Sequence, residues 1–138
     1  MANALTKQIL EEGPRNAIVV LTGVLDTSDV TETPAIALSD FTNNDTLMGP
    51  LVGFRVDDIE YVIGNGLEVQ IAWHSDTPQM IAAIAGRGHA RFCHFGGKLP
   101  LATMPNYTGD IDVTTTGFGV QGAGTQNFTI TLELIKLY

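Results

Sequence analysis

Apolar residues recur at every second position in several segments of this chain, a pattern typical of half-buried β-strands. In residues 67–73 the apolar side chains fall on odd positions, while Glu68 and Gln70 face the opposite side. Residues 127–134 and 110–116 alternate in the same way. Because no segment sustains the 3.6-residue period of a helix, the sequence predicts an all-β protein.

The apolar positions in residues 54–63 change from even to odd numbers, and the change falls at Asp57 and Asp58. One extra residue at this point would form a β-bulge, which rotates the second half of the strand so that both apolar sets face the core. The sequence therefore predicts a bent, bulged strand. The following Gly64-Asn-Gly66 predicts a tight hairpin to the strand at residues 67–73.

Two further segments are less regular. Residues 77–86 begin with Thr and Pro and end with Gly, which indicates a helix. The alternative for this segment is a strand, followed by a Gly-Arg-Gly turn and another strand through residues 90–95. Residues 26–51 are rich in Thr, Ser, Asp, Asn and Pro, and they predict long loops around a short strand at residues 35–38.

The chain has 138 residues, which predicts a single β domain over residues 1–138, since domains typically contain about 100–150 residues. Hydrophobic residues make up 44% of the chain and charged residues 16%, a composition that supplies a packed core and excludes a disordered chain. With about eight strands and many turns, the sequence predicts an antiparallel β-sandwich or barrel, with the jelly roll as the leading topology.

The net charge of the chain is −8. A negative surface repels phosphate backbones and anionic lipid heads, so we expect neither a nucleic acid nor a membrane as a partner. The N-terminal residues lack the apolar stretch of a secretion signal, and no run approaches the roughly 20 apolar residues of a membrane span. We therefore expect a protein that is made in the cytoplasm.

The glycine-rich stretch GFGVQGAG at residues 117–124 contains the pattern G-x-G-x-x-G. A dinucleotide-binding loop with this pattern presents the N-terminus of a helix to the pyrophosphate. Here a strand begins at Thr125 instead, so we predict a glycine-rich connection between two hairpin partners rather than a nucleotide site.

The residues best suited to bind a metal are His74, His89, His94 and Cys93, but no pair of them has a recognised ligand spacing. His89 and Cys93 are four residues apart, which would align them on a helix but not on the predicted strand. We therefore predict no metal and no cofactor, and we interpret Cys93 as a small core residue. A single cysteine also excludes an intrachain disulfide.

Carboxylates cluster at residues 26–29, 57–60 and 110–112. A calcium site or a glycosidase-like acid pair is the alternative for these clusters, and either would make the protein a metal-dependent or acid-catalysed hydrolase. We favour a structural role, in which Asp26 and Asp29 bind backbone amides and fix the exit from the preceding strand. Since the chain also lacks a G-x-S-x-G setting for a serine nucleophile, we predict that it is not an enzyme.

Residues 17–25 are apolar on both faces, as expected of a strand that is covered by the core on one side and by another subunit on the other. If this strand lies at a sheet edge, two copies can pair through it. Trp73 is in phase with the core positions of its strand, whereas two other aromatic residues lie in predicted loops. The candidate subunit contacts are Ile18, Val20, Val24, Tyr107 and Phe118.

Several unusual strings run through the chain from end to end. They are TK at 6–7, EGPRN at 12–16, LTGVLDTSDV at 21–30, LEVQIAW at 67–73, GRG at 86–88, FGG at 95–97 and TGDI at 108–111. Together they resemble a family of short virion proteins of tailed bacteriophages.

The resemblance implies a β-barrel or jelly-roll cement (decoration) protein that sits on the capsid exterior of the virion. It implies the major capsid protein as a partner, a homo-oligomer (dimer or trimer), synthesis in the host cytoplasm and no catalytic residues. The alternative function is a phage tail or surface module that binds host glycans through its loop aromatics and carboxylates.

Overall fold

The structure of the protein is a computed structural model that describes residues 3–41, 51–64, 66–100, 105–119 and 125–137. These residues form nine β-strands and two short 3-10 helices, at Leu38–Asp40 and Cys93–Phe95. The strands are β1 (Ala4–Glu12), β2 (Asn16–Leu25), β3 (Thr33–Ile36), β4 (Gly53–Ile63), β5 (Glu68–Trp73), β6 (Gln79–Ala85), β7 (Arg87–Arg91), β8 (Ile111–Thr116) and β9 (Gln126–Leu137).

The strands form two antiparallel sheets, with the order β1-β2-β9-β4-β7 in the first and β3-β8-β5-β6 in the second. Strands β2 to β9 pair from the outside inward, β2 with β9, β3 with β8, β4 with β7 and β5 with β6. The chain is thus one long antiparallel ribbon whose successive pairs alternate between the two sheets, which is the jelly-roll arrangement. The predicted antiparallel β-sandwich is confirmed, and β1 is an additional edge strand.

The core lies between the two sheets and is built from the alternating residues that the sequence indicates. In β9, Phe128, Ile130, Leu132 and Leu134 are all buried, and each packs into the space that faces the four-stranded sheet. Trp73 is fully buried on β5, so its predicted core position is confirmed. This burial of apolar surface from both sheets is the main stabilising contribution to the fold.

The predicted β-bulge in β4 is present. Val56 pairs with Leu134 and Asp58 pairs with Glu133, so Asp57 has no partner residue on β9. The extra residue shifts the alternation, and apolar side chains before and after it both reach the core. The change of parity in the sequence was a sufficient signal because only a bulge puts both apolar sets on one face.

Both hairpin predictions were wrong. Strands β4 and β5 belong to different sheets, as do β8 and β9, so each glycine-rich connection crosses the sandwich. The glycines serve close packing: Gly66 and Gly117 both have positive φ, and a Cβ at Gly117 would collide with the carbonyl oxygen of Gly66. Turn residues make a chain reversal possible, but they do not determine which strand becomes the partner. Asn65 and residues 120–124 lie outside the described residues.

Three other segments can be compared with the predictions. Within residues 77–86, for which a helix and a strand were both open, Gln79–Ala85 form β6, so the strand is confirmed. The strand predicted at residues 90–95 begins earlier, as β7, and gives way to a 3-10 helix in which Cys93 is exposed, so its interpretation as a core residue was wrong. The short strand predicted at residues 35–38 is β3, two residues earlier, and residues 42–50 of the predicted loop lie outside the described residues.

Candidate functional site

The predicted contacts on β2 lie on the outer face of the five-stranded sheet. Ile18, Val20 and Val24 are half-buried and point away from the core, because the intervening odd residues of β2 are the buried ones. Strand β2 is not a sheet edge, since β1 pairs with it along its whole length, so β1 has the exposed edge instead. Two copies therefore cannot pair through an edge of β2. The outward side chains of β2 remain candidate contacts only if another subunit covers the outer face of the sheet.

The two loop aromatics are less exposed than the sequence suggested. Tyr107 and Phe118 are half-buried and pack against the core. The Tyr107 hydroxyl is buried and has no hydrogen-bond partner among the described residues. Burial, followed by the charge of Asp110, raises the pKa of Tyr107 to about 12. The amide of Phe118 donates to Asp29 Oδ1 at 3.0 Å, so this loop is held to the sandwich.

Asp29 has the structural role that we predicted. In addition to the Phe118 amide, it accepts a hydrogen bond from the Thr115 hydroxyl at 3.0 Å. Asp26 Oδ1 accepts from the hydroxyl of Thr125 at 3.1 Å. These hydrogen bonds link the residues that follow β2 to both ends of the connection between β8 and β9. Donors in such loops have no partner strand, so side-chain carboxylates serve as their acceptors.

Among the residues that the structure describes, the most exposed aromatic side chain is Phe95, which the sequence analysis had placed in a strand. It is 84% exposed, and Leu99 nearby in the chain is 53% exposed. We call residues 92–98 the Phe95 turn. The amides of Phe95 and Gly97 both donate to the Phe92 carbonyl at 2.9 Å, so the turn is closed on itself. Gly96 and Gly97, both with positive φ, were the available signal for a turn here.

The Phe95 turn is anchored to the bulge of β4. The Phe92 amide donates to the Asp57 carbonyl at 2.8 Å, and Lys98 exchanges two backbone hydrogen bonds with Val56. Arg55 donates to both carboxylate oxygens of Asp57, at 2.8 and 3.2 Å, which is the strong bidentate geometry. The bulge therefore does more than redirect the strand, because it supplies the acceptor that holds an exposed aromatic in place.

A second polar feature lies on the outer face of the four-stranded sheet. His74 follows β5 and Asp112 lies on β8, and His74 Nδ1 is 2.5 Å from Asp112 Oδ2. The Asp112 residue is only 2% exposed, and its Oδ1 has no hydrogen-bond partner among the described residues. The His74 side chain is 45% exposed. The hydrogen bond to Asp112 and the charges of Asp112, Asp110 and Glu32 raise the pKa of His74, against the opposing effect of burial.

Asp112 also lines a cleft of about 310 Å³ on this face. We call it the Asp112 cleft, and its lining comes from β5, β6, β8 and the loop before β3. The sequence interpretation treated His74 as an ordinary polar residue and Asp112 as part of a carboxylate cluster. Nothing in the sequence brings the two together, because their contact depends on the register between β5 and β8. The lining residues are Thr31, Glu32, Gln70, Ala72, Pro78, Met80, Asp112 and Thr114.

The remaining candidate ligands lie apart from this cleft. His89 Nε2 is 2.7 Å from Asp58 Oδ1 on the outer face of the five-stranded sheet, and Arg91 Nε approaches the other oxygen of that carboxylate at 3.8 Å. His94 is exposed in the Phe95 turn. Within the described ranges, no three side chains of His, Cys, Asp or Glu lie close enough together to hold a metal ion.

None of the helices formed by the described residues has the length and apolar character needed to cross a membrane. Comparisons of the chain with protein-family models, with curated proteins and with solved structures gave no match.

Proposed function

We propose that this protein is a structural virion protein, a cement (decoration) protein that binds the outside of a phage head and stabilises contacts between major capsid subunits. The observation that carries the proposal is the nested pairing of β2 to β9 as a jelly roll, in a chain whose strings resemble phage virion proteins. Jelly rolls recur in viral capsid domains, and they also occur in lectins and cupins. The fold alone does not imply a function, so the surface features must support the role as well.

Rigidity is the first property that such a role needs. The C-terminal strand β9 lies in the middle of the five-stranded sheet, between β2 and β4, so the two ends of the described chain are held in one sheet. Near the end of β9, the buried Lys136 Nζ is 2.8 Å from Glu12 Oε2 of β1. This ion pair links β1 to β9 across the intervening strand β2, and removing one partner would leave the buried lysine charge uncompensated. A block of this kind can transmit force between capsid subunits without a disulfide.

The Phe95 turn is the surface that best fits a contact with the capsid. Protein interfaces depend on a few aromatic or arginine residues that insert into pockets on the partner. Phe95 is exposed, yet its backbone is ordered by the hydrogen bonds to Phe92 and by the anchor at Asp57. Binding therefore loses little conformational entropy at this position. Cys93 in the turn and Leu99, the residue after the turn, are also exposed.

The charge of the protein also suits an outer layer. A net charge of −8 disfavours contact with packaged DNA and is compatible with a surface that meets capsid protein and solvent. Subunit contacts through the outer face of β2, with Ile18, Val20 and Val24, would cover apolar side chains that are half-buried in the single chain. The proposed virion form is thus a homo-oligomer, a dimer or a trimer, seated on the major capsid protein.

Quantitative mass spectrometry of purified phage particles tests this proposal. A cement protein is present in numbers comparable to those of the major capsid protein. Detection of only a few copies per particle, or none, would reject the role. The glycan-binding alternative remains a prediction, and it needs Tyr107 and Phe118 to reach a sugar from their half-buried positions.

A binding assay with capsids that lack this protein tests the contact surface separately. Phe95→Ser is expected to weaken binding by about tenfold or more, as for loss of an interface anchor. Val62→Thr is the matched control. Val62 is also apolar and 56% exposed, and it lies on the outer face of β4 in the half that follows the bulge. Equal loss in both variants, or none in Phe95→Ser, would contradict the assignment of the contact to the Phe95 turn.

A further inference from the structure

The hollow in the four-stranded sheet has a simple origin in the strand register. Ala72 on β5 lies directly between Asp112 on β8 and Met80 on β6. Side chains of paired residues point to the same face, so a small residue between two longer ones leaves a depression. Gln70 and Thr114 form the next pair along the same face. The Asp112 cleft is therefore a groove across three strands with alanine as its floor.

One wall of the cleft is formed by the loop before β3, and this wall is fixed. The Glu32 amide donates to the Thr114 hydroxyl at 2.9 Å, and Val30 exchanges hydrogen bonds with Thr115. Glu32 has a φ of 44°, a left-handed conformation that is uncommon for a residue other than glycine. Such conformations persist only where surrounding contacts hold them, and they concentrate at binding sites.

The chemistry of the cleft is that of hydrogen-bond acceptors. Asp112 Oδ1 is buried and lacks a hydrogen-bond partner among the described residues, which is costly for a carboxylate. Gln70 donates its side-chain amide to Glu68 at 3.3 Å, and its side-chain carbonyl oxygen is a further acceptor on a residue that lines the cleft. The carboxylate of Glu32 also lines the cleft. A ligand that satisfies this set must be rich in donors.

Charge further restricts the ligand to a cation. Two carboxylates, those of Asp112 and Glu32, line the cleft, and neither lysine nor arginine is among the described residues that line it. An anionic ligand would be repelled. A metal ion is disfavoured because no group of three metal-ligand side chains occurs in the described part of the chain.

The remaining lining is apolar and fits a methylene chain. Ala72, Pro78 and Met80 line the cleft together with the acceptors. Arginine and lysine side chains bury their methylene stems along apolar surface while the charged head reaches polar groups. A guanidinium has five donors in a planar fork that matches carboxylates, whereas an ammonium is a compact point charge. Because the acceptors include two carboxylates, Asp112 and Glu32, the planar fork is the better match.

We propose that the Asp112 cleft binds the side chain of an arginine that is presented by a protein partner. The guanidinium donates to Asp112 and Glu32, and its methylene stem lies on Ala72 and Met80. A small rotation of the Asp112 carboxyl brings Oδ1 to the ligand, and the terminal torsion of aspartate is broad enough to allow it. This proposal goes beyond the virion role and does not depend on it, because it concerns a site on the isolated protein.

A titration of the isotope-labelled protein with a short capped peptide, acetyl-Gly-Arg-Gly-amide, followed by amide NMR shifts, tests the proposal. The expected result is a saturable shift of amides around Gln70, Ala72 and Thr114. The peptide with citrulline in place of arginine keeps the shape but lacks the charge, and it is expected to bind about tenfold or more weakly. The peptide with lysine should also bind more weakly.

Two variants locate the site. Asp112→Asn removes the carboxylate, and Ala72→Ile fills the floor of the cleft without changing its charge. Each is expected to weaken arginine binding by about tenfold or more. Glu60→Gln, on the outer face of the other sheet, is the control and should bind as the wild type does. If Asp112→Asn does not fold, Ala72→Ile alone decides.

Three results would overturn the proposal. They are absence of binding to the wild-type protein, equal binding of the citrulline or lysine peptide, and unchanged binding by Ala72→Ile. A negative result here leaves the virion role intact, because that role is decided by the copy number in purified particles.

Discussion

Gly23 lies in the middle of β2 and faces the core opposite Phe128 of β9. A Cβ at Gly23 would lie less than 3.0 Å from three atoms of the Phe128 ring, whereas ordinary contact begins at 3.4 Å. The ring is 1% exposed and surrounded by the core, so it has no space into which to move. We therefore predict that Gly23→Ala destabilises the protein, although glycine itself is unfavourable in a strand.

The size of the effect follows from two opposing contributions. Overpacking a core costs about 1–3 kcal/mol, and a collision with a rigid ring that involves three atoms belongs in the upper half of that range. Alanine is favoured over glycine in a strand by about 0.5–1 kcal/mol. The net loss in the free energy of unfolding for Gly23→Ala is thus about 1–2.5 kcal/mol. In a Phe128→Leu background the ring is absent, and the same change should cost almost nothing.

Urea unfolding of the wild type, the two single variants and the double variant gives the coupling between the sites. We expect a coupling energy of about 1–2.5 kcal/mol, well above the roughly 0.3–0.5 kcal/mol within which independent sites add. Thr22→Ala, at the neighbouring outward position of β2, is the control and should change stability by no more than about 0.5 kcal/mol. Additive effects of Gly23→Ala and Phe128→Leu would refute the reasoning.

Three further predictions concern other contacts. The interaction that raises the pKa of His74 stabilises the fold fully below the ordinary pKa of 6.5, and this contribution is lost as the pH rises through the raised pKa. The stability difference between wild type and His74→Gln should therefore shrink as the pH rises from below 6.5 through that raised pKa. A difference that does not change with pH in urea unfolding would contradict this. Asp57→Ala should lower stability by about 1–2 kcal/mol in urea unfolding, because Arg55 loses its bidentate partner. Hydrogen exchange in the Phe95 turn should change little, because the Asp57 carbonyl that accepts from the Phe92 amide is retained. Unchanged stability would contradict the role of the carboxylate. Gly117→Ala should lower the free energy of unfolding by about 2 kcal/mol or more in thermal unfolding, and Gly119→Ala by only about 1 kcal/mol. Both glycines have positive φ, but only a Cβ at Gly117 would collide with a backbone atom, the carbonyl oxygen of Gly66. Equal losses would exclude the close approach of Gly117 to Gly66.

Local alternation was enough to identify most strands. The parity change at Asp57 predicted a bulge at the position where the structure has one. The strand over residues 127–134 extends as β9 from Gln126 to Leu137 with the predicted face inward. These features could be predicted because side chains on a strand alternate between two faces and only one face is buried.

The partners of the strands could not be predicted from the same pattern. Glycine-rich connections at residues 64–66 and 117–124 resemble hairpin turns, yet both carry the chain from one sheet to the other. Each strand has an apolar face in either arrangement, so local sequence does not distinguish pairing within a sheet from packing across the sandwich. Which strands pair is decided by the nested pairing of β2 to β9 along the whole chain.

The candidate sites depend on this global arrangement even more strongly. Phe95 was expected in a strand, but the turn that exposes it exists because the Asp57 carbonyl is available to the Phe92 amide. The Asp112 cleft needs Ala72 to lie between two longer side chains on neighbouring strands. Neither relation is visible within one segment of sequence.

The sequence by itself thus determined the fold class, the faces of the main strands and the bulge, because burial imposes a period of two on residues close in the chain. The jelly roll was the leading topology from the sequence, but only the tertiary structure decided which strands pair, the edge position of β1 and the contact between His74 and Asp112. These features join residues that are far apart in the chain, and their energies depend on register and on the packing of one sheet against the other.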